Sequence, residues 1–166
     1  GIKDYTGVIG AVLKGQDNYG SMELGFGGQD IDYIYKFQSS AEYAQRVKNN
    51  LYGKCGLRYL HYSENDVYII SPGLVNYFGN NYVSADYNLS LTESRDSAQW
   101  ATLKGNFSVH KKVNLWFGTA IGERLYDINL LKAKKQYSYI LFNGVDVCVT
   151  KNVDLRLGYS YSMEKP

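Results

Sequence analysis

Apolar and polar residues alternate one for one along almost the whole chain. In Val83-Ser84-Ala85-Asp86-Tyr87-Asn88-Leu89-Ser90-Leu91 and in Val153-Asp154-Leu155-Arg156-Leu157-Gly158-Tyr159, every second position is apolar or aromatic. A period of two belongs to the extended strand, whose successive side chains point to opposite faces; a helix would repeat near 3.6. The pattern therefore predicts an all-β chain whose sheet has one apolar and one polar face. Composition agrees: 17 tyrosines and 17 glycines accompany only 2 prolines. Tyrosine favours strands, glycine marks bulges and crowded positions, and proline would interrupt the ladder.

The alternation divides into ten strands, near residues 4–14, 19–27, 34–46, 50–62, 66–78, 81–91, 98–109, 113–122, 137–149 and 153–162. Their connections alternate in length. Tight turns fall at 15–18, 47–49, 79–80, 110–112 and 150–152, and longer links at 28–33, 63–65, 92–97 and 123–136. Residues 125–135 could instead form a short amphipathic helix. Short turns at one end and loops at the other describe an antiparallel, up-and-down transmembrane β-barrel, with periplasmic turns and extracellular loops. A soluble β-sandwich, the competing architecture, gives no such alternation of loop length. If the tight turns are periplasmic, the first strand descends and the last ascends. Bacterial barrels normally have an even strand number and periplasmic termini, so ten strands would be part of about twelve. Residues 1–166 then read as a single barrel domain lacking its first and last strands, completed by further chain or a partner.

Lipid outside the barrel inverts the usual arrangement and turns polar side chains inward. The polar positions expected to face the lumen are Lys36, Glu42, Lys54, Arg58, Asp86, Lys104, Asp146 and Arg156. Glu23 and Asp154 fall on the same face. Signs are mixed in similar number, which predicts a mutually paired, side-chain-filled interior rather than an open pore. Tyr5, Tyr19, Tyr43, Tyr62, Tyr77, Tyr82, Tyr137 and Tyr161 lie near strand ends, where an aromatic girdle would meet the membrane interface. Cys55 falls on the outer face and Cys148 on the inner one, so they are not expected to pair.

Several function classes are disfavoured. A net charge of +2 without a basic stripe does not suggest nucleic acid. No apolar run approaches the roughly 20 residues of a membrane helix, which leaves barrels untouched. No cofactor is expected. With 2 histidines and 2 dispersed cysteines the chain has no metal-ligand spacing. Gly25-Phe26-Gly27-Gly28 precedes no helix pattern and reads as a strand end rather than a phosphate loop.

The stretch GLRYLHYSENDVYIISPGLVNYFGNNYVSADY, residues 56–87, carries a strand end, a short loop and a hairpin. Through Gly56, Arg58, Tyr59, Leu60, Ser63, Val67, Gly73, Tyr77, Phe78, Gly79, Asn80 and Tyr82 it resembles the YaiO-type outer-membrane β-barrel family. The likeness extends over about residues 18–160. His61 departs from it, standing where an acidic residue is common. The resemblance implies an outer-membrane location, contact with outer-membrane lipids and lipopolysaccharide, and in some members a TPR-type periplasmic domain. Association with polysaccharide systems implies export or assembly, although fold alone does not fix function.

For catalysis the sequence offers one constellation, His61-Tyr62-Ser63. It is similar to the His-x-Ser element of lipid A deacylase barrels and would need an acid beside His61. The expectation is a non-enzymatic barrel that anchors, or belongs to, an envelope assembly or export system. A small-solute or polysaccharide channel is the alternative, with lipid A hydrolysis behind both.

Overall fold

The structure is a computed structural model describing residues 6–27, 35–63, 65–93, 96–126, 134–150 and 153–165. The side chains of residues 6, 124–126, 134–136, 149–150, 153–154, 156 and 164–165 are excepted. Among the described residues there are ten strands: β1 (Thr6–Lys14), β2 (Asn18–Gly27), β3 (Phe37–Lys48), β4 (Leu51–His61), β5 (Asp66–Phe78), β6 (Asn81–Thr92), β7 (Ser97–His110), β8 (Val113–Tyr126), β9 (Lys134–Thr150) and β10 (Val153–Lys165). They form one sheet in strict chain order, and every neighbouring pair is antiparallel. Among the described residues no ladder joins β1 to β10.

Strand positions match the alternation closely, with β5 over the expected 66–78. The largest difference is at β8 and β9, which reach Tyr126 and start at Lys134, so the hairpin continues well past the expected ends. Residues 125–126 and 134–135 of the candidate helix are strand, and 127–133 lie outside the described residues. At one end the turns are tight. Gly79 at φ +64° and Asn49 at φ +47° take the left-handed backbone that two-residue hairpins need. The register shifts between Arg46 and Lys48, Ser108 and His110, and Val153 and Asp154 all lie beside such turns.

The ladders fix which side chains share a face. Tyr19, Glu42, Lys54, Ser71, Asp86, Thr102 and Ala120 fall on one side in register, and Leu24, Leu57, Leu74, Leu103 and Leu141 on the other. On the first, Ser84, Asp86, Asn88 and Ser90 are between 3% and 8% exposed. On the second, Ile9, Leu24, Leu57, Leu74, Leu103, Phe117, Leu141 and Leu157 are between 42% and 69% exposed. Polar groups are covered and large apolar ones stand free, the reverse of a water-soluble sheet and the arrangement lipid requires. One cavity draws its wall from β1 through β7, so the sheet curls toward its polar face. That face is called inner below.

Aromatic rings edge the outer face at both ends. Phe26, Phe37, Tyr59 and Tyr68 run from ring to ring across β2–β5 at the loop end, with centroids 5.5, 6.3 and 5.2 Å apart. At the turn end Phe78, Phe107 and Phe117 follow at 5.8 and 5.2 Å. The expected girdle is thus drawn partly from other residues. Tyr43, Tyr137 and Tyr161 do face outward, but Tyr19, Tyr77 and Tyr82 share the inner face, because each is in step with an inner polar residue of its own strand. Tyr62 sits in the β4–β5 link, and Tyr5 lies outside the described residues.

Leu103, midway along β7 on the outer face, tests the sidedness. Leu103→Arg is expected to destabilise the bilayer-folded state by about 2–4 kcal/mol, read by denaturant titration in lipid vesicles.

Candidate functional site

The centre of the inner face is charged. Lys54 of β4 holds Asp86 of β6 at 2.8 Å and Glu42 of β3 at 3.2 Å. The Lys54 and Asp86 side chains are 11% and 6% exposed, so this pair is largely withdrawn from solvent. Tyr19 donates its hydroxyl to the other Glu42 oxygen at 3.1 Å. One ammonium thus ties carboxylates from strands on both sides of it. Removing a single partner would leave a buried charge unmatched, which is the costly way to break such a pair.

β5 lies between Lys54 and Asp86, and the residue in register with both is Gly73. A Cβ there would fall on the Asp86 carboxylate and come within 2.7 Å of the Ala85 carbonyl oxygen. Glycine at this position leaves the space through which the ion pair crosses a whole strand.

Directly beside Gly73, Pro72 lacks a backbone N–H, and the β5–β6 ladder lapses between Ile70↔Leu89 and Gly73↔Asp86. Side chains bridge the gap. Ser71 donates its hydroxyl to Asn88 Oδ1 at 2.7 Å, while Asn88 Nδ2 donates to Thr102 Oγ1 at 3.2 Å and to the Trp100 carbonyl at 3.3 Å. On the far wall Trp116 donates Nε1–H to Asp146 at 3.1 Å and lies over Gly144 and Gly158.

Of the residues expected to face the lumen, Glu42, Lys54, Arg58, Asp86, Lys104 and Asp146 all fall on the inner face by register. Glu42, Lys54 and Asp86 are joined in one cluster, and Arg58 and Lys104 line the cavity around it. Among the described residues, neither Arg58 nor Lys104 forms an ion pair within 4.0 Å. Arg156 stands in register with Asp146, but its side chain lies outside those described. Lys36 precedes β3 and stays out of the cluster: its N–H donates to the His61 carbonyl and its own carbonyl accepts from Gly27. No disulfide joins Cys55 and Cys148, which lie on opposite faces.

Three cavities follow one another along the inner face. The turn-end cavity, about 480 Å³, is walled by Tyr19, Tyr52, Tyr77 and Tyr82. The middle one, about 370 Å³, is polar and shares Glu42, Lys54 and Lys104 with the first. A loop-end cavity of about 300 Å³, walled by Tyr62, Val67, Ile140 and others, shares Ile69 and Trp100 with the middle one. The shared side chains border both neighbours, Glu42, Lys54 and Lys104 at one junction and Ile69 and Trp100 at the other.

The sequence reading did not find the tyrosine wall or the Ser71–Asn88–Thr102 chain. Their signal was present in parity, since Tyr19, Tyr52, Tyr82, Asn88 and Thr102 are each in step with a charged inner residue of their own strand.

A second constellation lies at the loop-end rim of the outer face. His61 Nδ1 and Asp66 Oδ1 are 2.7 Å apart, closing the last register pair of β4 and β5. Tyr59 donates its hydroxyl to the other Asp66 oxygen at 2.9 Å. The acid that a His-x-Ser constellation would need beside His61 is thus in place. Nδ1 is the nitrogen such an acid engages when Nε2 serves a nucleophile.

A curling antiparallel sheet with covered polar groups on one face and exposed apolar groups on the other is a membrane β-barrel. A model of the YaiO membrane beta barrel domain matches residues 10–127, and the chain belongs to that family. No curated protein matches it, and no solved structure does.

Gly73→Ala tests the crossing of β5 by the ion pair. The added methyl group must displace Asp86 and the Ala85 carbonyl, and is expected to cost about 1–3 kcal/mol in the same vesicle-based titration.

Proposed function

We propose that this chain is a non-enzymatic barrel of the bacterial outer membrane, serving as an anchor or component of an envelope assembly or export system. The Glu42–Lys54–Asp86 cluster at the centre of the inner face carries this reading. Ions crossing the lumen would have to pass this cluster, and displacing paired charges is expensive. The apolar outer face suits outer-membrane lipid and lipopolysaccharide as surroundings. A TPR-type periplasmic domain is the proposed protein partner, docking at the tight-turn end. Reconstituted in planar bilayers, the protein is expected to give no steady conductance. A steady single-channel current would replace this reading with a small-solute or polysaccharide channel.

A second reading has one specific observation in its favour, the 2.7 Å His61–Asp66 contact on the lipid-facing rim. With Ser63 two residues along, it would make an esterase acting on membrane lipid. Ser63 Oγ would attack an acyl carbonyl and pass its proton to His61. His61 would return that proton to the leaving alkoxide, and water would then free the acyl group from the serine. The expected result is that the wild-type protein releases no fatty acid from lipopolysaccharide in mixed micelles. Release that disappears in Ser63→Ala would establish the second reading.

A further inference from the structure

We propose that the turn-end cavity binds an acidic oligosaccharide, a chain of pyranose rings bearing carboxylates. The argument starts from tyrosines on the unexpected face. Near strand ends of a membrane barrel, tyrosines belong at the lipid interface. Here Tyr19, Tyr52, Tyr77 and Tyr82 turn inward and adjoin one another across β2, β4, β5 and β6. Successive ring centroids are 6.4, 5.4 and 5.8 Å apart. All four are half-buried and line the same cavity of about 480 Å³.

Packing alone does not account for this arrangement. The opposite wall is packed by rings laid over glycines, as Trp116 lies over Gly144 and Gly158. The tyrosines instead surround open space. An aromatic wall with hydroxyl tips offers apolar faces to the C–H faces of sugar rings and hydrogen bonds to their hydroxyls. A largely aromatic pocket with a few placed polar groups is the usual form of a small-molecule site.

Tyr52 is also held in place. Arg46 donates to its hydroxyl from Nε at 3.1 Å and from Nη2 at 3.0 Å, and Arg46 Nη1 is itself anchored on Asp17 at 2.7 Å. A ring fixed from the rim side presents a defined surface, and such preorganisation lowers the cost of binding.

Charge selects the class of sugar. The cavity is lined by Lys14, Lys54, Lys104 and a single acid, Glu42. Lys54 is engaged by Glu42 and Asp86. Lys14 and Lys104 form no ion pair among the described residues, which leaves two ammonium groups for carboxylates of a ligand. The inference requires the barrel fold and this wall, and stands apart from whether the lumen conducts.

Calorimetry on the detergent-folded full chain tests it, with an oligogalacturonate as the acidic probe and a malto-oligosaccharide of equal length as the neutral one. The acidic probe is expected to bind and the neutral one to bind more weakly. Tyr52→Leu with Tyr77→Leu should weaken the acidic probe about tenfold or more. Lys104→Gln, a change at an exposed side chain, should abolish the preference between the probes. Heat-modifiable gel mobility identifies which variants have folded. If the double variant does not fold, Lys104→Gln decides alone. Absence of binding by either probe, or binding unchanged in these variants, would overturn the proposal. Equal affinity of the wild-type protein for both probes would overturn the acidic class.

Discussion

In a bilayer core there is no water to accept a backbone hydrogen bond, and each orphan N–H or C=O costs several kcal/mol. Everything in this chain follows from meeting that constraint with strands. Neighbouring strands satisfy the amides between them, and the period of two that strands impose then sorts side chains by face. Lipid takes one face, so leucine and phenylalanine can stand free on it. The polar residues have only one another, and the inner face becomes the place where specific interactions concentrate.

The Glu42–Lys54–Asp86 cluster shows what such concentration demands of the sequence. A lysine can reach a carboxylate two strands away only if the strand between them offers no side chain in the path. Gly73 meets that need, and Gly144 and Gly158 do the same for Trp116 on the opposite wall. The chain's many glycines are thus partly spacing elements for large inner groups. This explains how a glycine-rich sequence makes long strands although glycine has poor intrinsic strand preference.

Much of this was legible beforehand. Strand positions and the shared face of Lys54 and Asp86 follow from alternation, in which a one-residue slip would move every charge to the other face; turn lengths added the antiparallel order, and lipid on the outside made the shared face the inner one. The motif at residues 56–87 also pointed to the family whose model matches the chain. What alternation could not supply was the tie between particular residues. Lys54 rather than Arg58 holds Asp86 because the register sets Lys54, Gly73 and Asp86 in one row and Arg58 in the row of Ile69 and Ser90, and register across three strands is not local. The tyrosines were misjudged where nearness to a strand end was weighed above parity. The acid beside His61 was hidden because Asp66 becomes its neighbour only when the hairpin pairs.

Pro72 has a consequence of its own. Where the β5–β6 ladder lapses, the sheet is joined by side-chain bonds, Ser71 to Asn88 beneath and Lys54 to Asp86 across. Five strands lie on each side of that line. The boundary between the two halves therefore carries one stitch made of side chains, set within ten register pairs of ordinary ladder. Salt would loosen that stitch by screening its charges while leaving the ladder on either side of it in place.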